Sequence, residues 1–209
     1  MSTAPAHTRT RLTPSQRSAQ ITAAAAALAR DGGLSALTLR AVAQRAGVAP
    51  GLVAHYATSM DGLVATVFTD LTGAELSDVR ARVEASSDPA VQLATLFATV
   101  LGHDHEDVTL VWVDAWSLGR GNAPLSAAID EQMDAWRAFL AGVVRAGRTA
   151  GLFTTDDPDA VAWQILAMID GISAHALTRG TDPAPFTARL AQACETLVGA
   201  APGTVTAHL

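Results

Sequence analysis

The stretch TLRAVAQRAGVAPGLVAHYATSMD, residues 38–61, decides the fold, because two short amphipathic helical patterns meet in it at a compact turn. Leu39, Val42, Ala43 and Ala46 fall at i, i+3, i+4 and i+7, one apolar stripe on a helix that Thr38 can N-cap. Gly47 ends that helix, since glycine accepts the left-handed conformation that a C-terminal cap needs. Pro50 suits the first turn of the next helix, where its missing N–H removes no hydrogen bond. The second helix is expected from Pro50 to Tyr56. Together they read as a helix-turn-helix. Such a unit pins its second helix with few apolar residues and leaves the N-terminal and outer side chains free to enter a DNA major groove. The same spacing also fits an ordinary helical hairpin inside a bundle.

Charge favours the DNA reading. Met1 to Thr58 carries six arginines (Arg9, Arg11, Arg17, Arg30, Arg40, Arg45) and one acid, Asp31, a formal +5. The remainder carries eight arginines and nineteen acids, a formal −11, and the chain as a whole −6. A basic head on an acidic body is what a phosphate-binding module joined to a domain that does not touch DNA looks like. All fourteen basic residues are arginine, which a GC-rich genome explains along with the abundant alanine. Met1 to Leu12 lacks hydrophobic periodicity and reads as a disordered arm from which Arg9 and Arg11 could reach the DNA backbone or minor groove.

With 209 residues and 49% apolar content the chain can bury a substantial core. Its single cysteine, Cys194, excludes an intrachain disulfide and is expected as a small core or interface residue. The apolar run from Ile21 to Ala29 is mostly alanine and keeps helical spacing, and Thr13-Pro14-Ser15-Gln16 before it has the form of a capping box. It reads as a folded helix rather than a signal peptide, so no membrane is expected and the chain is expected in the cytoplasm. Beyond the head, breakers separate further helices: residues 59–85, then Asp88-Pro89 to Gly102, Glu106 to Leu118, and Ala123-Pro124 to Ala150-Gly151. Two more run from Asp156-Asp157-Pro158 to Arg179-Gly180 and from Asp182-Pro183 to Ala200. The fold class is all-α.

The Ala-rich first helix ending in Arg30-Asp31-Gly32-Gly33 is followed by Leu37-Thr38-Leu39-Arg40-Ala41-Val42-Ala43, Ala46-Gly47-Val48, His55-Tyr56 and Asp61-Gly62-Leu63-Val64. This series resembles the TetR family of bacterial one-component transcriptional regulators, most strongly from Ser15 to Glu75. The His-Tyr pair with the following Asp-Gly-Leu looks most like the branch that includes the choline-responsive repressors. The chain departs from the family at Ala57, where a packing phenylalanine is usual, and at Met60, where a lysine usually touches phosphate. The first departure suggests a looser hinge at the start of helix four.

The resemblance implies a three-helix helix-turn-helix DNA-binding head over residues 15–75, after an arm of residues 1–14. A six-helix effector-binding and dimerisation body would occupy residues 76–209. It implies a homodimer, a palindromic double-stranded DNA operator, and release by a small-molecule effector, with no cofactor. Pro50, Gly51, Leu52 and Ala54 are expected near base edges, and Thr38, Arg40, His55 and Tyr56 near phosphates. The effector cavity is expected among helices four to eight. Trp112 and Trp116 on helix six, Met133 and Trp136 on helix seven, and Phe97 and Leu101 on helix five are the candidate lining. Plain core packing explains each of these equally well. Indoles suit an apolar, aromatic or cationic effector. Ile165, Ile169 and Ile172 on helix eight and Leu190 and Leu197 on helix nine are the candidate dimer interface.

Three acidic features stand apart. Asp114 lies between the two tryptophans on the other side of its helix and is expected in solvent, whereas Asp170, before Gly171, is expected to be structural. His103-Asp104-His105-Glu106-Asp107 offers ligand-type side chains, but its His-x-His spacing puts the two rings on different helical faces, so no metal is expected. No nucleophile-base pair, phosphate loop or carboxylate pair supports the competing reading of a small all-helical enzyme or ligand-binding protein.

Overall fold

The computed structural model describes residues 12–57, 59–102 and 105–209. The expected arm with Arg9 and Arg11, and His103-Asp104 of the acidic cluster, lie outside the described residues. Helix α1, Pro14–Gly32, opens as a capping box: the Gln16 amide donates to Thr13 Oγ1 at 3.2 Å, and the Thr13 amide to the Gln16 side chain at 2.9 Å. Thr38 caps α2, Leu39–Ala46, through a bond from the Ala41 amide, and Gly47 ends it with φ 65° and ψ 37°. Helix α3 covers Pro50–Tyr56. Gln20 of α1 donates to the Ala46 carbonyl at 2.9 Å and so ties the turn to the first helix.

The remaining helices are α4, Met60–Val83; α5, Pro89–Val100; α6, Glu106–Leu118; α7, Ala123–Thr149; α8, Pro158–Arg179; and α9, Thr187–Val198. Side chains of Ser59, Asp88, Asn122 and Asp157 each accept a backbone N–H at the start of a helix. One boundary differs from expectation. Pro183 opens a 3-10 turn, Ala184–Phe186, and the α-helical conformation begins only at Thr187. All regular elements among the described residues are helical.

Two hydrophobic clusters hold these helices together. The first gathers Ile21, Ala25, Leu34, Val42, Val53 and Phe68 of the N-terminal segment, and it also takes in Val111 and Ala115 of α6 and Leu125 and Ala128 of α7. The second joins the later part of α4 to α5, α7, α8 and α9 around Val79, Leu93, Phe97, Leu140, Ile165 and Leu190. Helix α4 runs through both, with Phe68 in one and Val79 in the other. Ala57 and Met60, the two departures from the family pattern, both pack against the first cluster. Helix α8 is long and apolar enough to cross a membrane, but Val161, Ala162, Ile165 and Leu166 on it pack into the second cluster. Cys194 is fully buried there, and burial, with the Glu195 charge behind it, pushes its thiol up to about 12.

The segment after α9 has no helical signal in the sequence, and one buried carboxylate fixes it. Glu195 accepts the amides of Val205 and Thr206, each at 2.8 Å, that of Gly203 at 3.1 Å, and the Thr206 hydroxyl at 3.0 Å. Burial alone raises a carboxyl pKa, but these hydrogen bonds outweigh it and hold Glu195 below the ordinary carboxylate range. The group is depressed in the folded state, so its stabilisation is present above the unfolded pKa and is lost as pH falls through the folded one. Glu195→Gln is expected to lower the unfolding free energy by about 1–3 kcal/mol at neutral pH. In urea melts the gap to the parent should close only below about pH 4.

Candidate DNA-reading surface and effector pocket

Val53 is fully buried and fixes α3 to its support, which leaves Pro50, Gly51, Ala54 and His55 exposed on the other side. Leu52 and Tyr56 are half-buried, and Thr38 and Arg40 are exposed at the start of α2. The Tyr56 ring packs edge-on to His55, with centroids 5.2 Å apart. A Cβ at Gly51 would meet nothing within 4 Å, so nothing inside the protomer demands glycine there. Two arginines of the segment form ion pairs, Arg45 with Asp31 and Arg30 with Asp107 at 2.6 Å, and Arg17 donates to the Gln20 side chain. Arg40 makes no ion pair among the described residues.

A cavity lies between α4, α6, α7 and α8. Its void is small, about 50 Å³, and partly open to solvent. Trp112, Trp116, Met133 and Trp136 line it as expected. Phe97 and Leu101 do not. Helix α5 is wedged among α4, α7 and α9, so these two side chains turn into the core and are 0% and 1% exposed. Ile169, expected at the dimer interface, lines the cavity instead.

Two carboxylates that sequence reasoning did not place here complete the lining: Glu75 of α4 and Asp170 of α8. Glu75 accepts the Trp112 indole N–H at 3.1 Å, and its other oxygen lies 3.3 Å from His105 Nδ1. Asp170, expected to be structural, faces the cavity, and burial followed by the charge of Glu75 raises its pKa to about 7. The Trp136 indole N–H is buried without a hydrogen-bond partner. No group of three metal-ligating side chains exists among the described residues.

Helix α6 has two working faces. Trp112 and Trp116 look into the cavity, while Val111 and Ala115 enter the N-terminal cluster. Trp112 bridges them, its ring edge-on to Phe68 with centroids 4.9 Å apart. Asp114 is not in free solvent: half-buried, it accepts the Ser35 amide at 2.8 Å. It lies against Gly33, whose φ of 76° and lack of a Cβ permit the approach. Asp107, by its pair with Arg30, makes a second tie from α6 to the segment that carries the helix-turn-helix.

The candidate interface residues divide. Ile165 and Leu190 are 0% and 1% exposed and Ile169 7%, because α8 and α9 pack on α5, α7 and each other and turn their most apolar rows into their own core. Ile172 and Leu197 are partly buried at the edge of that core. The outward face instead carries Trp163 and Phe186, 60% and 50% exposed, with Ala167 and His175.

A head with an exposed α3, held by a helix that also walls a cavity, has the form of a helix-turn-helix regulator with a separate helical body. Residues 21–67 match the sequence model for bacterial regulatory proteins of the tetR family, and residues 89–201 match that for the C-terminal part of BetI-type transcriptional repressors. The chain belongs to the TetR family of transcriptional regulators and is not an enzyme. Solved structures share the fold. A Rhodococcus sp. chain described as a TetR-family regulator superposes with a TM-score of 0.74 at 19% identity, covering 88% of this chain and 99% of its own. A TetR regulator from Haloarcula marismortui gives 0.73 at 22% identity, with 88% and 97% coverage. The regulator FadR from Bacillus subtilis, solved with stearoyl-CoA, gives 0.67 at 19% identity, with 86% and 97% coverage. No curated protein matches the chain by sequence.

Asp114→Ala removes the charged acceptor of the exposed Ser35 amide, which water can replace, and is expected to cost about 1 kcal/mol or less in chemical unfolding. Gly33→Ala at the same contact should cost at least as much, since it adds a strained φ to the clash with Asp114.

Proposed function

We propose that the chain is a homodimeric repressor that leaves a palindromic operator when a small organic cation enters the cavity between α4, α6, α7 and α8. One observation carries this reading: α6 presents Trp112 and Trp116 to the cavity and, from its other side, holds the head through Asp114 and Asp107. An effector can shift a two-state regulator only by binding one state better than the other. A ligand that repositions Trp112 also disturbs its contacts with Phe68 and Glu75, and hence the seat of the head. The lever is therefore α6, rather than the start of α4 that the sequence suggested.

The cavity's chemistry supports a cationic effector. Indole faces attract cations, and a buried carboxylate such as Glu75, 8% exposed at its side chain, gains most from a positive partner. The resemblance to the choline-responsive branch points the same way. A long acyl chain such as the one bound to FadR has a different chemistry and would leave Glu75 and Asp170 facing hydrocarbon.

On DNA, Pro50, Gly51, Leu52 and Ala54 approach base edges, while Thr38, Arg40, His55 and Tyr56 contact phosphates. Few polar groups on α3 face the bases, so methyl contacts and DNA shape carry much of the specificity. Dimerisation buries the outward face of α8 and the turn that leads into α9, with Trp163 and Phe186 replacing Ile165, Ile169 and Leu190 as the anchors. A two-fold dimer sets two heads on half-sites about one helical turn apart, in the cytoplasm where the DNA is.

Selecting bound fragments from random DNA with the purified protein identifies the operator, and a palindrome is the expected product. On that operator Tyr56→Phe should weaken binding about five- to tenfold on all sequences alike with an unchanged salt slope, whereas Arg40→Ala should reduce the slope by about 1. A change in preferred sequence with Tyr56→Phe contradicts the phosphate role. Trp163→Glu buries an unpaired charge at the interface and should yield folded monomers by sedimentation, with operator binding lost. A tight-binding wild-type monomer contradicts the dimer. The Trp112→Ala/Trp116→Ala variant, still folded, should lose effector control of operator affinity.

A further inference from the structure

The two carboxylates of the cavity are not equivalent. Glu75 receives the Trp112 indole N–H and lies beside His105 Nδ1, so its charge is solvated by protein groups. Asp170 has no hydrogen bond or ion pair among the described residues and shares the cavity with the Glu75 charge. Helices α5, α6 and α7 add apolar residues, indoles and Thr109 to the lining, so the titratable groups facing Asp170 are Glu75 and, through it, His105. Two carboxylates sharing one apolar cavity cannot both ionise cheaply, and the one without donors keeps the proton.

Resting on the organic-cation reading above, we propose that Asp170 is the specificity-determining residue of the cavity: its carboxyl is protonated while the cavity is empty and gives its proton to solvent when an organic cation enters. Charge is conserved locally. Well below pH 7 one positive charge arrives and close to one proton leaves, and the entering cation becomes the counter-ion that Asp170 lacked. The rise of the Asp170 pKa to about 7, caused first by burial and then by Glu75, agrees with this assignment. A neutral molecule of the same shape gains nothing from the exchange, so the cavity discriminates by charge rather than by size. Operator release consequently depends on pH, being easiest to induce in alkaline medium.

The sign follows from linkage. The carboxyl is held protonated in the empty protein and is ionised in the complex, so cation binding releases protons and strengthens as pH rises toward and past 7. Affinity at pH 6 is expected to be about tenfold weaker than at pH 8, and about half a proton should leave per cation bound at pH 7.

The full-length protein is titrated with choline and with benzyltrimethylammonium, following tryptophan fluorescence and, in two buffers of different ionisation enthalpy, the heat of binding. The neutral carbon isostere of choline, 3,3-dimethylbutan-1-ol, serves as control. The expected result is cation binding with proton release and the tenfold pH dependence, with the isostere much weaker. Asp170→Asn should bind cations without releasing protons and without that pH dependence. Cation binding with no proton release in the wild type overturns the proposal and leaves the organic-cation reading standing. Proton release that persists in Asp170→Asn overturns it too and transfers the role to Glu75 or His105. If neither cation perturbs the fluorescence, or the isostere binds as well as choline, both the proposal and the organic-cation reading fail. The wild-type proton count does not depend on whether the variant folds.

Discussion

The structure depends on where one indole is held. Trp112 donates its N–H to the buried Glu75, lays its edge against Phe68 and opens its face to a cavity, so it belongs to both hydrophobic clusters at once. A buried carboxylate without that donor would pay its desolvation cost uncompensated. An indole without that acceptor would leave a buried N–H unpaired, as Trp136 does nearby. The bond fixes α6 against α4, and the position of α6 in turn decides how the N-terminal helices sit. The wall of the cavity and the seat of the N-terminal helices share this one residue.

The contacts that complete this seat are electrostatic and modest. Arg30–Asp107 and the Asp114–Ser35 bond lie near the surface, where ion pairs contribute little to stability. Their value is positional. Each joins α6 to the segment that carries α2 and α3, and weak contacts of this kind can be broken and remade by a ligand that supplies only a few kcal/mol of differential binding. The charge partition of the chain serves the same end, since an acidic body offers partners to head arginines while being repelled by DNA.

Helices α8 and α9 do two jobs with two faces. Their inner rows, including Ile165 and Leu190, complete the protomer's own core, and α8 also places Ile169 and Asp170 on the cavity wall. The outer side of α8 keeps Trp163 in solvent, and the 3-10 turn before α9 does the same with Phe186. A helix apolar nearly all round has no polar face to settle its orientation, and this is why α8 meets the length and composition of a membrane span while being one wall of a folded body.

The sequence by itself determined the helices and the helix-turn-helix, because those signals are local. Thr13, Thr38, Ser59 and Asp157 cap by reaching backbone amides three residues on, Pro14, Pro50 and Pro158 open helices whose first N–H groups need no partner, and Gly47 supplies the left-handed turn. The indoles of the cavity were also legible, since Trp112 and Trp116 share a helical face. The tertiary structure alone decided which side of an ambiguous helix goes inward. It sent Phe97 and Leu101 into the core, brought Ile169 to the cavity, put Asp114 against the head, and set Glu75 and Asp170 together although 95 residues separate them in the chain. Helical periodicity records how a segment can be amphipathic; which neighbour it meets is fixed by the packing of every other helix, and no local pattern carries that information.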